Sequence, residues 1–160
     1  VRSCSHFDAV PPILSKVQSF NTMNIVNKVE QSINRILSST KTIAVVGFSS
    51  KERKAGYYVP AYLQRHGYRI IPVNPNLTEA LDEKAYPELS SIPEEIDLVL
   101  IFRRPEAVPP FVEQAIQIGA NVVWMQLGII NQDAADLARG AGLEVVMDRC
   151  MLVEHRQLKT

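Results

Sequence analysis

The stretch TIAVVGFSSKERKAG, residues 42–56, decides how the rest of the chain is interpreted. Its first part is a continuous apolar run rather than an alternating one, which is typical of a strand covered on both faces in a parallel sheet. Gly47 follows directly, and because glycine has no Cβ it allows a tight turn and the close approach of a ligand. The stretch therefore predicts a buried strand that ends in a phosphate-binding loop.

The loop after this strand combines small polar residues with positive charge. Ser49 and Ser50 offer hydroxyl and backbone N–H groups, and Lys51, Arg53 and Lys54 place three cations within four residues. Neutral donors can position an anion, cations attract it, and the N-terminus of a following helix adds further N–H groups. We expect this loop to hold a phosphate group.

The rest of the chain alternates between apolar runs and helical patterns. The further predicted strands cover residues 69–73, 97–102, 121–127 and 143–147. Strands separated by helices form βαβ units with a parallel sheet, so we predict an α/β fold built on a single doubly wound parallel sheet, a Rossmann-like architecture. Ligands in such folds bind outside the carboxyl ends of the strands. The loops that follow the strands are therefore the candidate site.

The N-terminal part shows the weakest pattern. Residues 1–22 lack clean periodicity and are predicted to be a flexible extension, followed by one ligand-binding domain over residues 23–160. Asn24 is expected to cap a first helix, and Asn131 a later one, because an asparagine side chain can accept a hydrogen bond from a backbone N–H of the first turn.

Two further expectations concern the helices. Residues 57–66 have helical character, and Pro60 is expected in the first turn because proline disrupts a helix interior. Residues 148–160 are expected to form a polar tail across the surface, with His66 and His155 as ordinary surface histidines.

Length and composition indicate an ordinary globular protein. The chain has 160 residues, enough for one domain, and its 17 basic and 17 acidic residues leave no net charge. This balance gives no support to binding of nucleic acid or of a membrane surface, so an anion site must be local. No apolar run approaches the length of a membrane span, and we expect a cytoplasmic protein.

The cysteines do not indicate a metal site or a disulfide. Cys4 and Cys150 lie far apart, without a CxxC or Cys/His ligand spacing, so two reduced thiols are expected. Cys150 follows the last predicted strand and could face the cleft, where a mixed disulfide with a thiol ligand is conceivable. No set of residues is placed for catalysis, and none is predicted to be catalytic.

A second basic cluster narrows the choice of ligand. Arg103 and Arg104 follow the strand at residues 97–102 and should lie on the same sheet edge as the first loop, which suits a ligand with several phosphates. The NAD fingerprint is absent, because the next glycine after Gly47 is Gly56 and Asn74 stands where a ribose-binding carboxylate is required. No Walker A motif occurs either. A different phosphorylated nucleotide is therefore favoured over NAD and ATP.

The ordered segments VVGFSSKERKAG, IIPVNP, LVLIFRRPE, VVWMQLGI and DRCMLVEH resemble those of small stand-alone coenzyme A-binding proteins. These are similar in fold to the CoA-binding domain of the succinyl-CoA synthetase alpha subunit, and the resemblance covers residues 42–158. It implies that coenzyme A is bound through residues in four loops. The predicted binding set also includes the remaining basic residues of the first loop, Arg53 and Lys54. The full set is Gly47, Phe48, Ser49, Ser50, Lys51, Arg53, Lys54, Asn74, Pro75, Phe102, Arg103, Arg104, Met125, Gln126, Leu127 and Gly128.

The chain departs from that family in one residue of the second loop. The synthetase domains have a phosphate-binding lysine two residues after the loop proline, where this chain has Leu77, so Arg53 or Lys54 would have to replace it. Neither His66 nor His155 has a glycine-rich phosphohistidine context, so neither is expected to be phosphorylated.

The leading hypothesis is therefore non-catalytic binding of CoA or an acyl-CoA. An NADP-type oxidoreductase or another nucleotide-binding enzyme is an alternative, in which Arg103 and Arg104 would meet the 2′-phosphate. A protein-interaction module without a small ligand is another. A protein partner or a homodimer is compatible with all three.

Overall fold

The computed structural model describes residues 12–158, with side chains from residue 21 onward. The helices are α1 (Pro12–Ser39), α2 (Ala55–Arg65), α3 (Pro109–Gln117), α4 (Gln132–Gly140) and α5 (Met151–Gln157). The strands are β1 (Thr42–Val46), β2 (Arg69–Val73), β3 (Glu79–Ala80), β4 (Glu83–Lys84), β5 (Leu98–Ile101), β6 (Val122–Met125) and β7 (Glu144–Val146). Short 3₁₀ helices cover Leu89–Ser91 and Pro105–Ala107.

Five of the strands form one sheet in the order β2-β1-β5-β6-β7, and every neighbouring pair is parallel. The chain steps from β1 outward to β2 and then returns to the other side of β1 at β5. The strand order therefore reverses between β1 and β5, which is where a doubly wound sheet opens a crevice for ligands. The predicted fold class is confirmed. Strands β3 and β4 form a separate antiparallel hairpin.

The core has two layers because successive side chains of a strand point to opposite faces of the sheet. Ala44 and Val46 belong to the layer covered by α3 and α4. Ile43 and Val45 belong to the layer covered by α1, α2 and α5. Strands β5 and β6 are fully buried, and β1 and β2 are buried after their first residue, as their continuous apolar sequences predicted, whereas the edge strand β7 is partly buried.

The prediction that Pro60 lies in the first turn of its helix was wrong. Helix α2 begins at Ala55, so Pro60 is inside it. Proline has no N–H to donate to the carbonyl four residues earlier, which is that of Gly56. That carbonyl instead accepts a hydrogen bond from the N–H of Ser49, at 3.1 Å. The N–H of Ser49, in the predicted phosphate-binding loop, thus replaces the helix donor that Pro60 cannot supply.

The first helix is longer than predicted. It begins at Pro12 rather than near Asn24, and a proline is well tolerated at a first helical position. From residue 21 onward, where side chains are described, the last turns of α1 enter the core through Ile33, Ile36 and Leu37. The expected extension therefore overlaps the helix, while residues 1–11, with Cys4 and His6, lie outside the described residues.

Helix α1 is fastened to the edge strand β7 by an ion pair. Arg35 donates to both carboxylate oxygens of Glu144, at 2.9 and 2.5 Å. The hydrogen bonds from Arg35 lower the pKa of Glu144 below its ordinary value and raise that of Arg35. Both side chains remain largely exposed to solvent, so the ion pair positions α1 against β7 more than it adds to the free energy of unfolding.

The expected surface tail is a helix that closes one layer of the core. Met151 is fully buried and His155 is 8 % exposed, because residues four apart lie on the same face of α5. The Nδ1 of His155 lies 2.9 Å from the hydroxyl of Tyr62, so its assignment as a surface histidine was wrong. His66 is exposed, as expected.

Tyr68 lies beside this cluster and donates its hydroxyl proton to the carbonyl of Leu37 at 2.7 Å. Burial raises the pKa of Tyr68 above its ordinary value, so the hydroxyl stays a donor. At the start of α4, the Asn131 side chain accepts a hydrogen bond from the N–H of Ala134, which confirms the predicted cap. None of the helices in the described part is both long and apolar enough to cross a membrane.

Candidate functional site

A cleft of about 830 Å³ lies at the carboxyl edge of the sheet. The loops after β1, β2, β5 and β6 surround it together with the start of α2, so the four predicted loops do come together. The predicted site residues that line it are Gly47, Phe48, Ser49, Ser50, Lys51, Lys54, Asn74, Phe102, Arg103, Arg104, Gln126 and Leu127.

Four of the predicted site residues do not line this cleft. Arg53 is exposed on the loop but outside the lining, and Met125 is fully buried in the core. Pro75 borders a smaller side pocket of about 220 Å³ that shares Asn74 with the cleft. The N–H of Gly128 donates to a carboxylate oxygen of Asp148 at 2.7 Å, beyond the rim. The predicted set was therefore too wide at the ends of its loops.

Sequence reasoning also missed residues that line the cleft. They are Ala55, Gly56, Asn76, Leu77 and Ile129. Ala55, Gly56 and Asn76 belong to the predicted loops at residues 47–56 and 74–76 but were not chosen as site residues. Leu77 and Ile129 lie one residue beyond the second and fourth predicted loops, so a slightly wider choice would have found them. Leu77 lines the cleft at the position where the resemblance to the synthetase domains implies a phosphate-binding lysine, so this wall lacks that positive charge.

Gly47 determines how closely the loops of β1 and β5 approach. Its φ is +77°, and a Cβ at this position would lie 2.6 Å from the carbonyl oxygen of Phe102. The N–H of Gly47 donates to the carbonyl of Val73 in β2, and the N–H of Phe102 donates to the carbonyl of Val46. Gly47 is thus fixed between β2 and β5 at the reversal of strand order.

The N-terminus of α2 opens into the cleft. The N–H groups of Ala55 and Gly56 stand in the first turn of the helix, where no carbonyl four residues earlier belongs to the helix. Lys54 occupies the cap position and makes no side-chain capping hydrogen bond. An anion in the cleft would meet these two N–H groups and the positive end of the helix dipole.

Asn74 connects two of the loops. Its Nδ2 donates to the carbonyl of Phe48 at 2.8 Å, and its Oδ1 accepts from the N–H of Asn76 at 2.8 Å. One carboxamide thereby holds the loop after β1 against the loop after β2. The side chain at this position therefore connects the two loops instead of binding a ribose. This explains why it is an asparagine and not the carboxylate of the NAD fingerprint.

Four cations converge on the cleft. Lys51, Lys54, Arg103 and Arg104 line it, whereas no carboxylate, imidazole or thiol does so among the described residues. None of the four takes part in an ion pair within the described part of the chain. The guanidinium of Arg103 lies 5.9 Å from the centre of the Phe111 ring, which gives it an aromatic support. The cleft is therefore strongly electropositive in a chain with no net charge.

Gln126 forms part of the wall on the side of β6. It is 4 % exposed, and its Oε1 accepts a hydrogen bond from the N–H of Met151, at the start of α5. Its Nε2 donates to no acceptor among the residues with described side chains. The amide can therefore present a donor to a ligand while it positions α5.

Cys150 does not line the cleft. It is half-buried and borders an adjoining groove, which shares Leu127 with the cleft. The sequence left open whether this thiol meets the ligand, and the structure places it outside the lining of the cleft. No group of three or more His, Cys, Asp or Glu side chains in the described residues is placed to hold a metal ion.

Comparison with known proteins identifies the domain. Residues 41–156 match the family described as CoA binding domain. The chain belongs to the CoA-binding domain family. This confirms the resemblance inferred from the ordered segments, and the matched residues include every strand, helices α2 to α4 and all but the last residue of α5.

Two relatives share nearly the whole CoA-binding domain. The chain is 39 % identical over 133 residues to uncharacterized protein YneT of Bacillus subtilis (strain 168), which covers 83 % of this chain and 98 % of that protein. A solved structure of a hypothetical protein from Pyrococcus horikoshii OT3 is 42 % identical, with a TM-score of 0.79 and coverage of 82 % of this chain and 92 % of that one.

A larger enzyme contains a similar domain. The chain is 34 % identical over 87 residues to acetate–CoA ligase [ADP-forming] II of Archaeoglobus fulgidus. The match covers 53 % of this chain but only 13 % of the ligase. The likeness thus concerns the CoA-binding domain and not the ligase as a whole.

Proposed function

We propose that this protein binds coenzyme A, or an acyl-CoA, in the cleft and does not transform it. The observation that carries the proposal is the convergence of four cations, which have no ion-pair partner among the described residues, and of the N-terminus of α2 on the switch-point cleft of a CoA-binding domain. CoA is a polyanion at one end, with a diphosphate and a 3′-phosphate. Both features of the cleft favour such a ligand.

The two basic clusters suit the two anionic parts of CoA. Lys51 and Lys54 lie beside the N–H groups of α2, where a diphosphate would gain both charge and hydrogen bonds. Arg103 and Arg104 lie on the loop after β5, across the reversal of strand order. Arginine holds phosphate oxygens with two parallel hydrogen bonds, so this pair is suited to a terminal phosphate.

The size and lining of the cleft support binding without catalysis. Its volume of about 830 Å³ lies within the range of about 300–1,000 Å³ that is common for ligand sites. Leu77, Leu127 and Ile129 add apolar surface for the uncharged arm of the ligand. Among the described residues, the lining has no carboxylate or imidazole to act as a general acid or base.

Thermal unfolding with a panel of nucleotides tests the proposal. The panel is CoA, acetyl-CoA, NAD, NADP and ATP, each at a large excess over the protein. A ligand at a hundred times its dissociation constant adds about 2.7 kcal/mol, which corresponds to a rise in Tm of about 5–10 °C for a chain of this size. We expect this rise for CoA or acetyl-CoA and a much smaller one for NAD and NADP.

The other hypotheses make different predictions for the same panel. Selective stabilisation by NADP would support an oxidoreductase, and a panel without any shift would support an interaction module. Incubation of acetyl-CoA with the protein, followed by chromatography, tests the second part of the proposal. Unchanged acetyl-CoA agrees with binding alone, whereas release of free CoA would contradict it.

A further inference from the structure

Helix α1 presents an apolar stripe to solvent. Residues 21–32 are all exposed, and within them Ile25, Val26 and Val29 are 62 %, 48 % and 39 % exposed. The stripe continues along the same helix face to the buried Ile33 and Ile36, since positions three and four apart are neighbours on a helix. The face that packs on the sheet therefore extends beyond the body of the domain.

A groove runs beside this stripe. It has a volume of about 510 Å³ and lies between α1 and β7, with apolar side chains of both elements in its walls. Within the described part of the chain, β7 is an edge strand whose one neighbour is β6. Lys28 lies on the α1 side of the groove, and Arg139 and Arg149 line it from the end of α4 and the loop after β7. We call this surface, stripe and groove together, the α1 groove.

The local sequence does not favour a free helix. Residues 21–32 read NTMNIVNKVEQS, with three asparagines and three β-branched apolar residues, all of them moderate helix formers. Isolated helices of this length are marginal in water even when they are rich in alanine, and packing of an apolar face normally stabilises them. The exposed half of α1 is thus expected to require a partner surface.

Charge indicates which partner fits. Lys28 and Glu30 are two residues apart, about 200° around the helix, so they flank the stripe on opposite sides. Neither takes part in an ion pair within the described part of the chain. If a second α1 lay in the groove, related to the first by a two-fold axis roughly along the helix, its Glu30 would face Arg139. Arg139 itself has only an exposed contact with Asp136, at 3.5 Å.

We propose that two copies of this chain associate through the α1 groove, with the stripe of each copy in the groove of the other. Such an interface is isologous, because the same stripe and groove on each copy supply both halves of the contact. The α1 part of this interface lies outside residues 41–156, which match the CoA-binding domain family. It does not depend on the binding of CoA.

Sedimentation equilibrium of the full chain tests the interface between about 1 and 100 µM, where a specific dimer of moderate affinity is populated. We expect twice the chain mass of 17.9 kDa for the wild type. The double variant Ile25→Glu/Val29→Glu should be a monomer, since both side chains are exposed in one copy and would be buried between two. Leu137→Glu is the matched control, because Leu137 is 44 % exposed on α4 but does not line the groove, and it should stay a dimer.

A charge exchange tests the orientation and does not depend on the apolar variants. Glu30→Lys and Arg139→Glu should each weaken the dimer by about tenfold or more, and the combination should restore most of the affinity. Circular dichroism shows whether each variant is folded. A wild-type monomer over the whole range would overturn the proposal, as would a dimer that the apolar double variant leaves intact. Failure of the combined charge variant to restore the dimer would overturn the assigned geometry.

Discussion

A side chain at position 47 would collide with the loop that follows β5. In Gly47→Ala, the new Cβ would meet the Phe102 carbonyl oxygen at 2.6 Å, and the left-handed backbone at φ +77° adds a cost of about 1–2 kcal/mol. With the clash, we expect the free energy of unfolding to fall by about 3 kcal/mol or more. Urea denaturation measures this difference.

Gly67→Ala is the control for the backbone part of that cost. Gly67 also has a positive φ, +96°, but a Cβ there would have no heavy atom within 4 Å. The free energy of unfolding of Gly67→Ala should therefore fall only by the cost of the left-handed backbone, about 1–2 kcal/mol. Equal losses in the two variants would show that the approach of the Phe102 carbonyl is not a constraint.

Arg103 and Arg104 are expected to contribute most of the charge on the β5 side of the cleft. The double variant Arg103→Ala/Arg104→Ala removes two donors that would each make hydrogen bonds to phosphate, and hydrogen bonds with charged groups contribute about 1.5–3 kcal/mol each. We expect CoA to bind at least about tenfold more weakly, with an unchanged fold because both residues lie on a loop. Isothermal titration calorimetry measures the affinity.

Arg53→Ala is the matched control for this variant, since Arg53 has the same charge but lies outside the cleft lining. Its affinity for CoA should stay close to that of the wild type. If Arg53→Ala weakened binding as much as the double variant, the effect would come from net charge and not from residues that contact the ligand.

At the scale of elements, α2 and the loop before it depend on each other through Pro60. In Pro60→Ala the helix regains an N–H that can donate to the carbonyl of Gly56, in competition with the N–H of Ser49. We expect faster hydrogen exchange of the Ser49 amide and weaker binding of CoA, because the loop loses part of its anchor. Unchanged exchange at Ser49 would mean that the proline does not control the loop.

The sequence predicted the elements where periodicity and caps agree. The buried strands are continuous apolar runs, and Asn131 has both a capping side chain and a helical pattern behind it. The start of α1 and the existence of α5 were missed for a common reason. Both segments mix polar and apolar residues, and the apolar face of α5 becomes visible only when its partner Tyr62 is known to lie opposite His155.

At the scale of the whole molecule, the position of the cleft could be predicted but its exact lining could not. Parallel strands bring the ends of β1, β2, β5 and β6 to one edge, which predicts the position of the cleft. Twelve of the sixteen predicted site residues, most of them implied by the family resemblance, lie in its lining. The direction of a side chain at a strand end depends on register and twist. For this reason Met125, the last residue of β6, was assigned to the cleft although it points into the core.

The most direct test of the central claim is a map of amide chemical shifts during titration of the labelled protein with CoA. Binding in the cleft predicts that the largest shifts fall in residues 47–56, 74–77, 102–104 and 126–129, the four loops that line it. The α1 groove should show little change. Shifts concentrated on α1 and β7, or none at saturating CoA, would contradict the assignment of this cleft as the site of CoA binding.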